Sequence, residues 1–83
     1  MSYMSNKKVT IYTTPSCVYC KMAKEFFAKH TIVYEEKDVV KDIQAREEMV
    51  ARSGQMGVPV IDVDGMLVIG FDQARLKELL GIS

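Results

Sequence analysis

Cys17 and Cys20 are the only cysteines of the chain, and Val18 and Tyr19 separate them. An extended apolar segment, Val9-Thr10-Ile11-Tyr12-Thr13, runs into a short turn, Thr14-Pro15-Ser16, directly before the pair. A stretch with helical spacing follows it. Cys17 therefore falls at or just before the first turn of a helix, where the positive end of the helix dipole favours the thiolate, the reactive form of cysteine. A strand followed by Cys-x-x-Cys and a helix reads as a redox-active dithiol. The competing reading is half of a zinc site. Such a site takes about four ligands, and only His30, about three turns further along the helix, remains among the strong ligands. The redox reading is the better one.

The elements that position the pair follow from the pattern of side chains. Lys8 to Thr13 reads as a first strand, rich in β-branched and aromatic residues. Val18 to His30 reads as a helix with a broad apolar stripe of Met22, Ala23, Phe26, Phe27 and His30. Glu25 and Lys29 form an i,i+4 pair outside that stripe. Ile32 to Lys37 reads as a second strand, with a polar end at the sheet edge. Lys41 to Ser53 reads as a charged helix, with Ile43, Val50 and Ala51 on its buried face. Asp42 with Arg46, and Glu48 with Arg52, are i,i+4 pairs on its wet face, and Gly54 fits a left-handed cap at its end. Pro59 to Val63 and Met66 to Ile69 read as two strands joined at Asp64-Gly65, a strong tight-hairpin signal. Asp72 caps a last helix whose Leu76, Leu79 and Leu80 face the core. The scattered Met22, Met49, Met56 and Met66 read as core or loop packing.

The resulting order is β-α-β-α-β-β-α. Strands joined through a helix run parallel with a right-handed crossover. The expectation is an α/β domain with a four-stranded mixed sheet and helices on both faces. At 83 residues the chain has room for one domain, which buries only about 60% of its unfolded surface. Residues 1–7 read as a flexible leader and 8–83 as the domain. Eleven basic residues balance eleven acidic ones, so nucleic acid and membrane surfaces are poor partners. The longest apolar stretch, Gly57 to Phe71, is interrupted by Asp62 and Asp64 and cannot span a bilayer. The first residues carry no apolar signal segment. With only two cysteines, the expected setting is the reducing cytoplasm, where a disulfide is catalytic rather than structural. No partner surface stands out, and a monomer is expected.

Three motifs together carry a resemblance. Thr13 to Lys21 (Thr-Thr-Pro-Ser-Cys-Val-Tyr-Cys-Lys), Gly57 to Ile61 (Gly-Val-Pro-Val-Ile) and Gly70 to Asp72 (Gly-Phe-Asp), in this order and spacing, resemble the glutaredoxin family. The resemblance runs from about Lys8 to Ile82. It implies a thioredoxin-like fold and reduction of disulfides, with Cys17 as attacking and Cys20 as resolving cysteine. Glutathione-dependent members have Cys-Pro-Tyr-Cys, a lysine three residues before the first cysteine, and Gly-Gly-x-Asp near the last helix. Here Val18, Thr14 and Ile69 stand in place of the proline, the lysine and the first glycine, while Asp72 matches. Cys-Val-x-Cys and the Gly-Phe pair are more similar to NrdH-type redoxins, which draw electrons from thioredoxin reductase, although the Trp-Ser that usually precedes Gly-Phe is absent. Ribonucleotide reductase is then a candidate target.

The remaining expected site residues surround the pair. Lys21, four residues after Cys17, adds positive potential on the same side. Val58-Pro59, read from residues alone, is a trans proline opening a strand, since only about 5–6% of such bonds are cis. The resemblance implies a cis bond beside the dithiol, with the Val58 backbone offered to an extended substrate. Tyr19 is either a substrate contact or a plain helix-surface tyrosine. Thr14 is either a weak carboxylate partner or a turn residue before Pro15. Gly70, Phe71 and Asp72 form the rim of a groove whose backbone amides suit a carboxylate, and Asp72 also serves as the helix cap. No bound cofactor is expected, because the domain is too small for a flavin or nicotinamide site. Electrons must come from glutathione or thioredoxin reductase. An alternative from a different class is a carrier that bridges an iron–sulfur cluster through Cys17.

Overall fold

The computed structural model describes residues 7–82. Strand β1 (Val9–Thr13) is buried along its whole length. It lies between β2 (Glu35–Asp38), which runs parallel to it, and β3 (Val60–Val63), which runs antiparallel. Strand β4 (Met66–Ile69) pairs antiparallel with β3 and completes a sheet of order β2-β1-β3-β4. Because β1 is central, successive residues enter different cores. Val9 and Ile11 join Ala23, Phe26 and Phe27 of α1 (Val18–Lys29), and Leu76 and Leu80 of α3 (Gln73–Leu80). Tyr12 joins Ala45 and Met49 of α2 (Ile43–Ser53). Two helices thus cover one face and one helix the other, in the expected mixed-sheet, thioredoxin-like architecture.

Local signals set several boundaries where the sequence puts them. Asp64 and Gly65 both adopt positive φ, 54° and 96°, as a two-residue hairpin turn requires. Gly54 caps α2 in the left-handed conformation. The Asp72 carboxylate accepts the Arg75 N–H at 3.1 Å and so starts α3 as expected, while α2 starts later than the expected Lys41, at an Asp42 cap that accepts the Ala45 N–H at 3.1 Å.

Other boundaries move. The second strand begins at Glu35, not Ile32. The end of α1 uses the intervening residues: Thr31 turns at φ 58° and the Ile32 N–H reaches back to the Phe27 carbonyl at 2.8 Å. Ile32 and Tyr34 pack against the core from a loop, while Val33 is 88% exposed. Pairing starts only where the parallel register to β1 allows it, at Thr10 opposite Glu35. The third strand begins at Val60, one residue after Pro59, which has no N–H to donate. Helix α2 begins at Ile43 after its Asp42 cap, and its buried face is Ala45 and Met49. Ile43 is 66% exposed, Ala51 is exposed and Val50 half-buried. Of the methionines, Met49 enters the core, whereas Met22, Met56 and Met66 are exposed.

The charges of α2 also look outward from the helix, not along it. Glu48 pairs with Lys37 of β2 at 3.0 Å and Arg52 with Asp62 of β3 at 2.6 Å. The Tyr12 hydroxyl donates to Glu48 at 2.6 Å. These contacts fasten α2 to the sheet. Residues 1–6 of the expected leader lie outside the described residues, and Lys7 donates to the Leu79 carbonyl of α3.

Candidate active site

The site begins at the C-terminal end of β1. The chain leaves the sheet at Thr13 and turns at once, the Cys17 N–H donating to the Thr14 carbonyl at 3.3 Å. Cys17 is the N-cap of α1, a place normally held by a side chain that accepts from the first turn. Its sulfur does this work: Sγ accepts the Cys20 N–H at 3.2 Å. A partial positive charge on a helix amide therefore points at the Cys17 sulfur. The same sulfur lies 3.7 Å from the Val58 carbonyl, to which its thiol can donate. Lys21, exposed, donates its backbone N–H to the Cys17 carbonyl at 3.2 Å.

The two cysteines differ in access. Cys17 is half-buried, and Cys20, one turn into α1, is 1% exposed. Burial, with the Cys17 sulfur beside it, pushes the Cys20 thiol up to about 12. An outer, half-buried sulfur and an inner, protonated one beneath it form a pair ordered by access.

The expected groove residues fall into two groups. Thr14, Val58 and Pro59 come together with the cysteines. The Val58-Pro59 bond is cis, as the family resemblance implies and in contrast to the reading from residue type alone. Pro59 is buried and Val58 half-buried, its carbonyl aimed at Cys17. Thr14 is half-buried, with its carbonyl engaged in the turn. Tyr19 and Val18 are 61% and 68% exposed on the first turn of α1, leaving both surfaces open to a partner. Gly70 is tied in through its N–H, which donates to the Pro59 carbonyl at 2.8 Å, and its φ of 84° suits glycine. Phe71 turns inward, and its ring lies edge-on to Phe26 with centroids 5.8 Å apart. Asp72 is engaged as the cap of α3. His30 closes α1, and its ring packs on Phe26 at 4.6 Å.

A short brace precedes Val58. The Gln55 side-chain amide accepts from the Gly57 N–H at 2.6 Å and donates to the Gly57 carbonyl at 3.1 Å. The Ser53 hydroxyl bridges the carbonyls of Met49 and Gln55. Gln55 was not among the residues singled out from sequence. Its spacing two residues before Gly57 was visible, but a side-chain amide folding back on the backbone has no periodic signal.

A second cluster missed from sequence involves Lys24, one turn after Cys20 on α1. Lys24 Nζ pairs with Glu36 Oε2 at 2.8 Å, and the buried Thr13 hydroxyl donates to the same oxygen at 3.0 Å. Lys24 holds the Glu36 carboxyl below its usual value, and Glu36 in turn raises Lys24. The i,i+4 spacing of Cys20 and Lys24 was readable; the partner Glu36, from another element, was not. Among the described residues no three His, Cys, Asp or Glu side chains cluster as metal ligands, and no helix is long and apolar enough to cross a membrane.

Comparison with known proteins agrees with this geometry. The glutaredoxin family model matches residues 9–68. A glutaredoxin-like 8.6 kDa protein encoded in a rubredoxin operon of Clostridium pasteurianum is 40% identical over 72 residues, covering 87% of this chain and 96% of that protein. The crystal structure of a thioredoxin-like protein superposes with a TM-score of 0.83 at 37% identity, covering 88% of this chain and all of the other. The NrdH-redoxin of Escherichia coli, a glutaredoxin-like protein with a thioredoxin-like activity profile, superposes with a TM-score of 0.79 at 26% identity, covering 87% and 93%. With the dithiol at the start of α1, the cis proline beside it and this breadth of match, the chain belongs to the glutaredoxin family.

Proposed function

We propose that the protein is a small thiol–disulfide oxidoreductase that reduces protein disulfides or glutathione mixed disulfides. The observation that carries this reading is the ordered pair: Cys17 half-exposed at the helix cap with a helix N–H on its sulfur, and Cys20 buried one turn below. The Cys17 thiolate attacks one sulfur of a substrate disulfide; a Cys17–substrate bond forms, the substrate S–S bond breaks, and the departing thiolate takes up a proton. Cys20 then loses its proton and attacks the Cys17 sulfur. The intramolecular disulfide forms, and the second substrate thiolate leaves and is protonated. Two electrons pass from the dithiol to the substrate, and an external donor restores the dithiol.

Substrate backbone has a landing place at the Val58 carbonyl, beside the attacking sulfur, with Tyr19 exposed on the first turn of α1. Thr14, Gly70, Phe71 and Asp72 complete the groove in this reading, with residues 8–83 acting as one monomeric domain in the reducing cytoplasm. The donor is glutathione or thioredoxin reductase. The neutral Thr14 and the exposed apolar Val18 fit a protein reductase, and ribonucleotide reductase is a substrate consistent with the likeness to NrdH-redoxin.

Disulfide-dependent NADPH oxidation tests this in two parallel reactions, one with glutathione and glutathione reductase, the other with thioredoxin reductase. Turnover in the first alone assigns glutathione as donor. Turnover in the second alone assigns the reductase. No turnover in either, with insulin or a glutathione mixed disulfide as substrate, rejects the oxidoreductase reading.

A further inference from the structure

The resolving step asks of Cys20 what its surroundings oppose. Its sulfur must become a thiolate, yet burial and the neighbouring Cys17 both hold the proton on. Two features act in the other direction, the Thr14 backbone and the ammonium of Lys24. Lys24 lies four residues after Cys20 on α1, so the two side chains share one face of the helix. Its ammonium is held in place: Glu36 Oε2 lies 2.8 Å away, and that oxygen also accepts the Thr13 hydroxyl at 3.0 Å. Glu36 stands opposite Ile11 in the β1–β2 register, on the sheet face that packs under α1. Thr13 is 2% exposed and immediately precedes the loop that carries Cys17. The cluster therefore ties β1, β2 and α1 together on the helix face that carries the resolving sulfur.

We propose that Lys24, anchored by Glu36 and Thr13, is a positioning residue for the resolving step, its fixed positive charge favouring the Cys20 thiolate as it attacks Cys17. The inference rests on the oxidoreductase reading above. No new co-reactant is required: the Cys20 proton passes to solvent, the Cys17–Cys20 bond forms as the Cys17–substrate bond breaks, and the leaving thiolate takes a proton from solvent. The titratable groups around this centre are Cys17 and Lys24 about Cys20, Glu36 and Tyr34 about Lys24, and Asp38 beyond Glu36. Glu36 raises the pKa of Lys24, so the ammonium keeps its charge through the range in which Cys20 reacts.

Stopped-flow reaction of the reduced protein with dithiobis(nitrobenzoate) separates the two steps. The first coloured thiolate is released as Cys17 attacks, the second as Cys20 resolves. In Lys24→Met the second phase is expected to slow about three- to tenfold near neutral pH and its pH midpoint to move upward, one pKa unit being a tenfold change in thiolate fraction. The first phase should be unchanged, which also shows that the variant is folded, and Lys24→Arg should restore the second. A second phase with unaltered rate and pH profile overturns the proposal, and so does equal slowing of both phases or failure of arginine to rescue. Absence of both phases in the unsubstituted protein instead rejects the oxidoreductase reading itself.

Discussion

Tyr12 and Thr13 are neighbours on β1 and point to opposite faces of the sheet, and each builds the same three-part chain. The Tyr12 hydroxyl donates to Glu48, which pairs with Lys37; the Thr13 hydroxyl donates to Glu36, which pairs with Lys24. On the α2 face the carboxylate comes from the helix and the lysine from β2. On the α1 face the roles are exchanged, which puts the lysine on the helix that carries Cys20. Hydroxyl, carboxylate and ammonium therefore fasten α2 to the sheet on one face and, on the other, fasten the helix that carries Cys20. What distinguishes them is the element that holds the cation.

The largest effect that sharpens this contrast is on chemistry. Cys17→Ser should reduce disulfide turnover to background, and Cys20→Ser should accumulate a Cys17 mixed disulfide detectable by intact mass. Tyr12→Phe, on the other face, should leave both phases of the thiolate-release reaction unaltered. A changed second phase in Tyr12→Phe would mean that general loosening, not charge placement, governs resolution.

Next in size is the alkaline response. Cys20 has a raised folded-state pKa, so its neutral form stabilises the fold fully below the unfolded value of about 8.5, and this contribution is lost as pH rises towards about 12. Urea melts of the reduced protein between neutral pH and pH 11 should show stability falling by up to about 1.4 kcal/mol per pH unit above that onset. In Cys20→Ser this slope should be absent. Tyr12, also raised by burial and by Glu48, adds a fall only above about pH 10, so the two faces separate on the pH axis.

Smaller still are the hydroxyl deletions. Tyr12→Phe and Thr13→Val should each cost about 1 kcal/mol in chemical denaturation, the usual net worth of one hydrogen bond. A much larger loss for Thr13→Val than for Tyr12→Phe would show that the α1 chain carries more of the fold's stability than the α2 chain. Arg52→Ala, which removes the partly exposed pair with Asp62, should cost only about 0.5 kcal/mol.

The features legible in the sequence were those written in adjacent residues. The dithiol at a helix start, the Asp64-Gly65 turn, the Gly54 cap and the Asp72 cap each depend on a few consecutive positions, whereas Asp42, which spacing alone pairs with Arg46, is the cap of α2. The buried face of α2 did not yield to the same reading. Ile43 is the more apolar residue, but the sheet meets the helix at Ala45 and Met49, and only the docking direction decides that. Nor could spacing along α2 show that Glu48 and Arg52 answer to Lys37 and Asp62 instead of to each other. In the sequence Glu36 reads as part of a polar strand end at the sheet edge. Its partner Lys24 sits on another element, and the register of β2 on β1 is what brings them together. The cis Val58-Pro59 bond was reached through family likeness, since residue type alone favours trans.

The Gln55 brace has a consequence for the cost of recognition. Its amide clasps both backbone groups of Gly57, so the segment leading to Val58 is held by two side-chain hydrogen bonds in the free protein. A flexible approach to the cysteine would lose conformational entropy each time a partner bound, at about 1–2 kcal/mol per ordered residue. Here that loss is incurred once, during folding. On the oxidoreductase reading proposed above, each new partner would meet a segment already braced and incur no ordering penalty there.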